Sequence, residues 1–435
     1  MRGTLSLPPD KAICHRAVLA AALGIGTTEI HPWPLADDCQ RTLQLVADLG
    51  VPVKKSPQTV WIDGRGDAGL RAPTQELFCG ESGTTLRLAA GLLAGQPFTT
   101  RLSAGPSLSR RPMRRIVDPL SEMGARLEGR QMASSDPSSR ELYPPLTVRG
   151  RRPLRAVRCE MELPSAQVKS AILLAGLFAD GATSVVERVP TRDHTERILR
   201  AFGAGIRREG RGVTIEPGAL RSPGALVLPG DFSSAAFFVV AASCVPGSRL
   251  VLEGVGLNPT RLGLLEILKR MGGCLTTTVS EEGWEPRGTV VVEARSLRGV
   301  SVGPSEVPGV IDELPVLMVA AACATGTTRF HGVGELRVKE TDRIRSMVNG
   351  LRQLGARIVL PAPDAVEIDG GPLRGAVAES AGDHRTAMSL AVAGLVAEGA
   401  TTVRGVACVA KSFPEFFDHL RAVAGSPTVK TVDNP

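Results

Sequence analysis

Apolar residues recur along the chain in two alternating patterns. In the first, an Ala-rich run with few polar interruptions ends in Gly-Thr-Thr or a variant and passes into a β-type stretch. Its six copies are AVLAAALGIGTTEI (17–30), LAAGLLAGQPFTTRL (88–102), AILLAGLFADGATSVV (171–186), AAFFVVAASCVPGSRLVL (235–252), LMVAAACATGTTRF (317–330) and LAVAGLVAEGATTV (390–403). With Gly26, Gly95, Gly181, Gly247, Gly326 and Gly399 as markers, the copies lie 69, 86, 66, 79 and 73 residues apart. A run that is apolar all round belongs to a buried helix. In the second pattern an amphipathic segment closes on a glycine and enters a strand, as in LQLVADLGVPV, LSEMGARLE, ILRAFGAGIR, LEILKRMGGCLT and LRQLGARIVL. The glycines of both patterns are expected at C′ positions, where a left-handed residue ends a helix.

Each unit therefore reads helix, strand, helix, strand. Six units of about 70 residues are too large for a thin solenoid, and a chain of 435 residues accommodates them as two α/β lobes of three. No low-complexity linker divides the chain. The stretch MASSDPSSRELYPP (132–145) reads as an exposed loop, and the tail after Gly425 as frayed.

Composition narrows the class. Hydrophobic residues at 43% and charged residues at 22% exclude a disordered chain. Lys+Arg 51 against Asp+Glu 44 gives +7, too dilute for a nucleic-acid tail but suited to small anionic substrates. Aromatic residues at 3% argue against a stacking platform for single strands. The eight cysteines form no C-x-x-C pair, and the six histidines show no H-x-x-x-H spacing, so neither a disulfide framework nor a metal site is expected. The N-terminus lacks the apolar core of a signal peptide, and no apolar run reaches the roughly 20 residues of a membrane span. A cytoplasmic location is expected.

Charge gathers where folding alone does not ask for it. LPPDKAICHRA (7–17) places Lys11 and Arg16 beside a Pro-Pro turn at a helix start. ESGTTLRLAAG (81–91) sets Gly83 ahead of a buried helix with Arg87 in its first turn. On its own this reads first as a plain Ser N-cap, and second as a phosphate cradle of backbone N–H groups. SLSRRPMRR (107–115) carries four arginines, either a solvated turn or the guanidinium cluster that binds carboxylate or phosphate. Asp312 and Glu313 open a very apolar helix, where a carboxylate is ordinarily a cap. In GELRVKETDRIRSMVNGLRQLG (334–355), Ile344, Met347, Val348, Leu351 and Leu354 form one inward face. Lys339 and Arg343 are expected to share another face of that helix, with Glu340 about 100° around it. His384 and Arg385 precede one more buried helix, and Lys411 precedes a Phe-rich segment.

Taken together, PPDKAICHRA, DDCQRTLQLVADLG, ESGTTLRL, SRRPMRRI, LPSAQVKSAILLAGL, TRDHTE, GDFSSAAFFVVAA, IDELPVL, LRVKETDRI, GDHRTAMSLAVAGL and AKSFPEFF resemble, in order and over nearly the whole chain, the enolpyruvyl transferase superfamily. Within it the resemblance is to the 5-enolpyruvylshikimate-3-phosphate synthase family. It implies a two-lobed inside-out α/β barrel of six βαβαββ repeats, three per lobe. Residues 9–228 would form the shikimate 3-phosphate lobe and residues 1–8 with 229–435 the other, with the active site in the cleft between them.

The implied reaction moves the enolpyruvyl group of phosphoenolpyruvate to the 5-hydroxyl of shikimate 3-phosphate and releases phosphate. By motif position the resemblance makes Asp312 the acceptor of the hydroxyl proton, Glu340 the carboxyl acting on the methylene, and Lys11 a cation and proton donor. Shikimate 3-phosphate would be held by Lys11, Ala12, Arg16, Ser165, Ala166, Gln167, Thr191, Asp312 and Lys339. Phosphoenolpyruvate would be held by Lys11, Gly83, Arg111, Gln167, Arg343, Arg385 and Lys411, with Arg87 as a further cation. No metal or cofactor is implied, no nucleic acid or membrane partner, and a monomer. The sister UDP-N-acetylglucosamine enolpyruvyl transferase typically carries a cysteine in its mobile loop, which SLSRRPM lacks. The RNA 3′-terminal phosphate cyclase architecture is disfavoured by the low aromatic count. A non-catalytic anion-binding paralogue remains the other alternative.

Two positions depart from the family pattern: Ala12 stands where serine is usual, and Glu81 where asparagine is usual. A lost hydroxyl and a carboxylate beside a phosphate cradle should both weaken substrate binding. Ala12→Ser and Glu81→Asn are each expected to lower the Michaelis constants, and steady-state kinetics with both substrates checks this.

Overall fold

The computed structural model describes residues 1–66, 69–131 and 141–424. Most of the stretch read as an exposed loop (132–140) and the tail from Gly425 lie outside these residues. Positions 143–145 of that stretch open the strand Tyr143–Arg149 instead.

The chain is a mixed α/β protein that divides into two compact units. One is Lys11–Leu228; the other combines Met1–Asp10 with the chain from Pro229 onward. Each of the six apolar runs forms a helix: Lys11–Leu23, Gly83–Ala94, Ala166–Gly176, Phe232–Cys244, Leu314–Cys323 and His384–Gly394. Their side chains are buried nearly all round, as their composition requires.

The five amphipathic segments form the helices Asp37–Asp48, Arg114–Glu122, His194–Ala201, Gly263–Arg270 and Arg343–Gln353. Each ends in a left-handed glycine: Gly50, Gly124, Gly203, Gly272 or Gly355. The paired bonds of a Schellman turn follow, for example Gly355 N to Arg352 O and Ala356 N to Leu351 O, both 2.9 Å. The markers of the apolar runs behave differently. Gly247, Gly326 and Gly399 are left-handed; Gly26 also has a positive φ, 104°, but lies inside the strand Gly24–His31, whereas Gly95 has φ −87° and Gly181 has no positive φ. At Gly95 space is the constraint, because a Cβ would overlap the Phe178 ring.

The strands repeat one arrangement. Leu77–Phe78 runs parallel to Thr99–Ser103, which pairs antiparallel with Tyr143–Arg149, itself antiparallel to Arg126–Arg130. The same order recurs in the sheets centred on Thr183–Glu187, Gly24–His31, Arg249–Gly256 and Thr327–His331. Thr402–Arg404 has only its parallel partner Val377–Glu379 among the described residues. Parallel neighbours need a crossover, and the apolar helix supplies it wherever the two strands are close in sequence.

In two sheets the parallel partner comes from far along the chain. Ala225–Val227 joins Gly24–His31, and Arg2–Ser6 joins Arg249–Gly256. Each unit thus closes on itself. Where the chain leaves and re-enters the second unit, Asp10 N bonds Pro229 O and Asp231 N bonds Pro8 O, both 2.8 Å. No helix among the described residues is long and apolar enough to cross a membrane, and all eight cysteines are free thiols.

Two helices that carry candidate site residues at their N-termini, Gly83–Ala94 and Ala166–Gly176, approach backbone to backbone. A Cβ on Gly91 would lie 2.6 Å from Ala171 Cα. Neither backbone can give way without separating the helices. Gly91→Ala is therefore expected to destabilise the protein by about 1–3 kcal/mol, read as a lower urea midpoint.

Candidate active site

In the unit Lys11–Leu228, the helix Lys11–Leu23 starts with its lysine at the edge of the core. Lys11 Nζ forms an ion pair with Asp38 Oδ2 at 2.8 Å. One turn on, His15 is fully buried, with Nδ1 2.6 Å from Thr42 Oγ1. Burial, aided by Lys11 and Arg16 and opposed by Asp38, pushes its pKa down to about 3, so it stays neutral. Thr42 Oγ1 continues to Thr85 Oγ1 at 2.7 Å, and Thr85 Oγ1 donates to Ser82 Oγ at 2.8 Å. Ser82 is the N-cap of Gly83–Ala94, so this buried chain ties the two helix starts together.

Arg16 is a brace. Its Nε donates to Thr195 Oγ1 (2.7 Å), Nη1 to Ala12 O (2.7 Å) and Nη2 to Ser170 Oγ (3.0 Å). It thereby joins the helices Lys11–Leu23, Ala166–Gly176 and His194–Ala201. Ser165 caps the second of these, accepting from Val168 N. From the same helix, Gln167 Nε2 donates to Thr84 Oγ1 (2.9 Å) and Gln167 Oε1 accepts from Arg87 Nη1 (2.7 Å). Gly83 completes this corner: a Cβ there would lie 3.0 Å from Arg87 Nη1 and 3.2 Å from Arg111 Nη1. Gly83, Arg87, Arg111 and Gln167 are therefore brought together, beside helix N-terminal N–H groups that favour anions.

Thr191 is buried and held from within. Its N–H and hydroxyl both donate to Glu187 Oε1, and its carbonyl accepts from Lys169 Nζ at 3.3 Å. Lys169, with no exposed surface, also pairs with Glu196 at 2.7 Å. Glu81 does not face the cradle as an open carboxylate. Its Oε1 accepts from Ser107 N (3.2 Å) and its Oε2 from Leu108 N (2.7 Å). The premise that Glu81→Asn would lower a Michaelis constant is thereby removed, because the carboxylate is satisfied by the arginine loop.

In the other unit a second cluster forms around Arg343, which is only 1% exposed. Its Nε donates to Asp383 Oδ2 (2.8 Å), its Nη2 to Glu340, and its Nη1 lies 3.6 Å from Asp312 Oδ1. Arg385 Nη1 donates to the Asp312 carbonyl at 2.7 Å. Lys339 pairs with Glu335 at 3.5 Å. Burial pushes its pKa down, against the pull of Asp312, Glu335 and Glu340. Lys339 and Glu340 are not helical as expected. Asp342 caps the helix at Arg343 by accepting from Arg345 N (3.0 Å), so the two preceding residues lie in the approach to it.

Glu313 occupies the N-cap position of Leu314–Cys323, but its side chain makes no capping hydrogen bond. Glu313 is fully buried and accepts from Ser233 Oγ and from Arg261 Nη2 (3.3 Å), whereas the Asp312 side chain is 20% exposed and faces Arg343. Lys411 ends the 3-10 turn Val406–Lys411 and forms no ion pair among the described residues. Ser380 Oγ donates to Gly405 O (2.8 Å) and accepts from Gly382 N (3.1 Å), tying that turn to the loop before His384 and Arg385. Beyond Lys411, Phe413 packs against Phe238 with ring centroids 6.1 Å apart.

Residues 1–420 match the family model described as EPSP synthase (3-phosphoshikimate 1-carboxyvinyltransferase). The chain belongs to the EPSP synthase family. It is 46% identical over 425 residues to the 3-phosphoshikimate 1-carboxyvinyltransferase of Geobacter sp. (strain M21), covering 97% of each chain. It is likewise 46% identical to that of Nitrosococcus oceani, over 96% of this chain and 92% of the relative. A solved structure of EPSP synthase from Acinetobacter baumannii superposes with a TM-score of 0.84 at 41% identity, over 97% of this chain and 95% of that one.

Three residues at the heart of this EPSP synthase family member's clusters escaped the sequence reading. Asp38 and Asp383 lay inside quoted motifs, DDCQRTL and GDHRTAM, but nothing in their spacing separated an ion-pair partner from a cap. Ser380 carried no signal at all. Asp383 does both jobs: Oδ1 caps the helix through Arg385 N (2.8 Å) and Oδ2 holds Arg343. Burial would raise its pKa, but Arg343 and His384 override this and hold the carboxyl below the usual aspartate range. Asp383→Asn leaves a buried guanidinium short of its partner and is expected to cost about 3–5 kcal/mol at neutral pH. The Asp383 contribution is present above the unfolded-state pKa of about 3.9 and is lost as pH falls through the lower folded value. The gap between parent and variant in urea denaturation should therefore narrow in acid.

Proposed function

We propose that this chain transfers the enolpyruvyl group of phosphoenolpyruvate to the 5-hydroxyl of shikimate 3-phosphate, releasing inorganic phosphate in the shikimate pathway. Its family membership supports the reaction, and the observation that carries it to particular residues is the Arg343 cluster. Two carboxylates of differing environment, Asp312 and Glu340, are oriented by one buried cation.

In this reading Asp312 takes the hydroxyl proton as the 5-oxygen bonds to C2 of phosphoenolpyruvate. Glu340 delivers a proton to the methylene carbon, giving a tetrahedral adduct that still bears phosphate. Cleavage of the C2–O bond releases phosphate, which carries away the proton taken by Asp312, while a proton of the new methyl group returns to Glu340 and the double bond is restored. Glu313, turned inward to Ser233 and Arg261, leaves Asp312 as the base of the pair.

Each substrate phosphate carries about −1.5 to −2 charges, and unit charges about 4 Å apart repel by about 4 kcal/mol at an effective dielectric near 20. Lys11, Gly83, Arg111, Gln167, Arg343, Arg385 and Lys411 hold phosphoenolpyruvate in our assignment, with Arg87 adding charge beside Gly83. Lys11, Ala12, Arg16, Ser165, Ala166, Gln167, Thr191, Asp312 and Lys339 hold shikimate 3-phosphate. Arg16 contributes chiefly by bracing the helices that present the others.

We further read the fold as the inside-out α/β barrel of six βαβαββ repeats, three to a unit, a reading supported by the recurring sheet order. The enzyme acts as a cytoplasmic monomer without metal or cofactor.

Phosphate release by the purified protein should depend on the presence of both phosphoenolpyruvate and shikimate 3-phosphate. Glu340→Gln and Asp312→Asn should each lower kcat by about 10²–10⁴-fold. Release without shikimate 3-phosphate, or full activity in both variants, would overturn the assignment.

A further inference from the structure

We propose that Glu81 is a positioning residue for phosphoenolpyruvate binding: it straps down the arginine loop so that Arg111 is held beside Gly83. This deepens the reading above and rests on Arg111 binding phosphoenolpyruvate. Strand Leu77–Phe78 leads into Glu81, and the loop returns after strand Thr99–Ser103, so the two segments lie side by side. Backbone bonds begin the join, with Cys79 N to Ser103 O at 2.9 Å and Gly105 N to Gly80 O at 2.8 Å.

Glu81 then takes over. Its two carboxylate oxygens each accept one of two successive N–H groups, Ser107 and Leu108, at the start of the 3-10 turn Leu108–Arg110. The turn delivers Arg111, whose N–H bonds Leu108 O at 3.0 Å. A side chain at Gly105 would displace the strap, since its Cβ would lie 2.5 Å from Glu81 Oε1. The buried Leu108 side chain, with the two guanidinium groups, borders Gly83.

The chemistry asks for glutamate here. A carboxylate offers two acceptor oxygens to two N–H donors. Glutamine or asparagine offers one acceptor and turns an NH₂ donor towards the other N–H. The strap therefore predicts the opposite sign from simple charge repulsion. Removing the negative charge should weaken phosphoenolpyruvate binding rather than improve it.

Steady-state kinetics of Glu81→Gln and Glu81→Asn test this, combined with hydrogen–deuterium exchange of the segment 104–113. We expect the KM for phosphoenolpyruvate to rise about tenfold, with kcat and the KM for shikimate 3-phosphate within about twofold, and faster exchange in that segment. In an Arg111→Lys background, Glu81→Gln should add little, because the strap acts through that arginine. A lower KM for phosphoenolpyruvate, an unchanged one, or a parallel rise in both Michaelis constants would each overturn the proposal. If Arg111→Lys alone leaves the KM for phosphoenolpyruvate unchanged, the assignment of Arg111 fails and the proposal with it. A raised KM for phosphoenolpyruvate alone in both Glu81 variants, with faster exchange of the segment 104–113, would support it.

Discussion

A helix that is apolar nearly all round gathers its charge towards its N-terminal end, and this constraint organises the whole molecule. The interior of Phe232–Cys244 or Leu314–Cys323 has no position where an ion could meet water or a partner. Polar residues are therefore driven to the first turn and the residues before it, where unpaired N–H groups and the helix dipole also favour anionic ligands. Lys11, Gly83, Gln167, Asp312 and Arg385 all sit at such starts. Burial of the helices and concentration of the chemistry are two consequences of one pattern.

Charges gathered so closely must be held apart from collapse on one another. Arg343 shows how. A buried guanidinium is tolerable only with opposite charge beside it, and Asp383, equally buried, provides that. Glu340 and Asp312 then take their orientation from a cation that would stay in place without them. In the other unit, Arg16 performs the same office with neutral oxygens, and Lys169 does so with Glu187 and Glu196. The reactive groups lean on residues that are themselves held by buried partners.

The strand pairings at the chain ends explain the division into units. Arg2–Ser6 belongs in the sheet of Arg249–Gly256, nearly 250 residues away, and cannot be released without opening that sheet's edge. The segments 8–10 and 229–231 are consequently drawn together as a hydrogen-bonded pair. Lys11 is the next residue in the chain and opens the other unit, where Asp38 holds its ammonium group.

Much of this was legible in one dimension. Buried helices, amphipathic helices and their Schellman glycines are encoded by neighbours within a few residues, because burial on all sides, a 3.6-residue stripe and a left-handed stop are local properties. The inward face Ile344–Leu354 and the Ser82 cap followed from that. The same local logic misplaced Gly26 and Gly95, where strand geometry and the Phe178 ring decide, and it extended a helix back over Lys339 and Glu340 past the Asp342 cap. It could not choose between Asp312 and Glu313, adjacent carboxylates with identical local prospects, until Ser233 and Arg261 were seen to claim the second. Nor could it show that Glu81 faces two backbone N–H groups, since a peptide N–H is the same at almost every residue and leaves no mark on the sequence. Composition and periodicity determined which segments are buried and where charge collects; only tertiary packing decided which charged group faces which, because that depends on distances between residues remote in the chain.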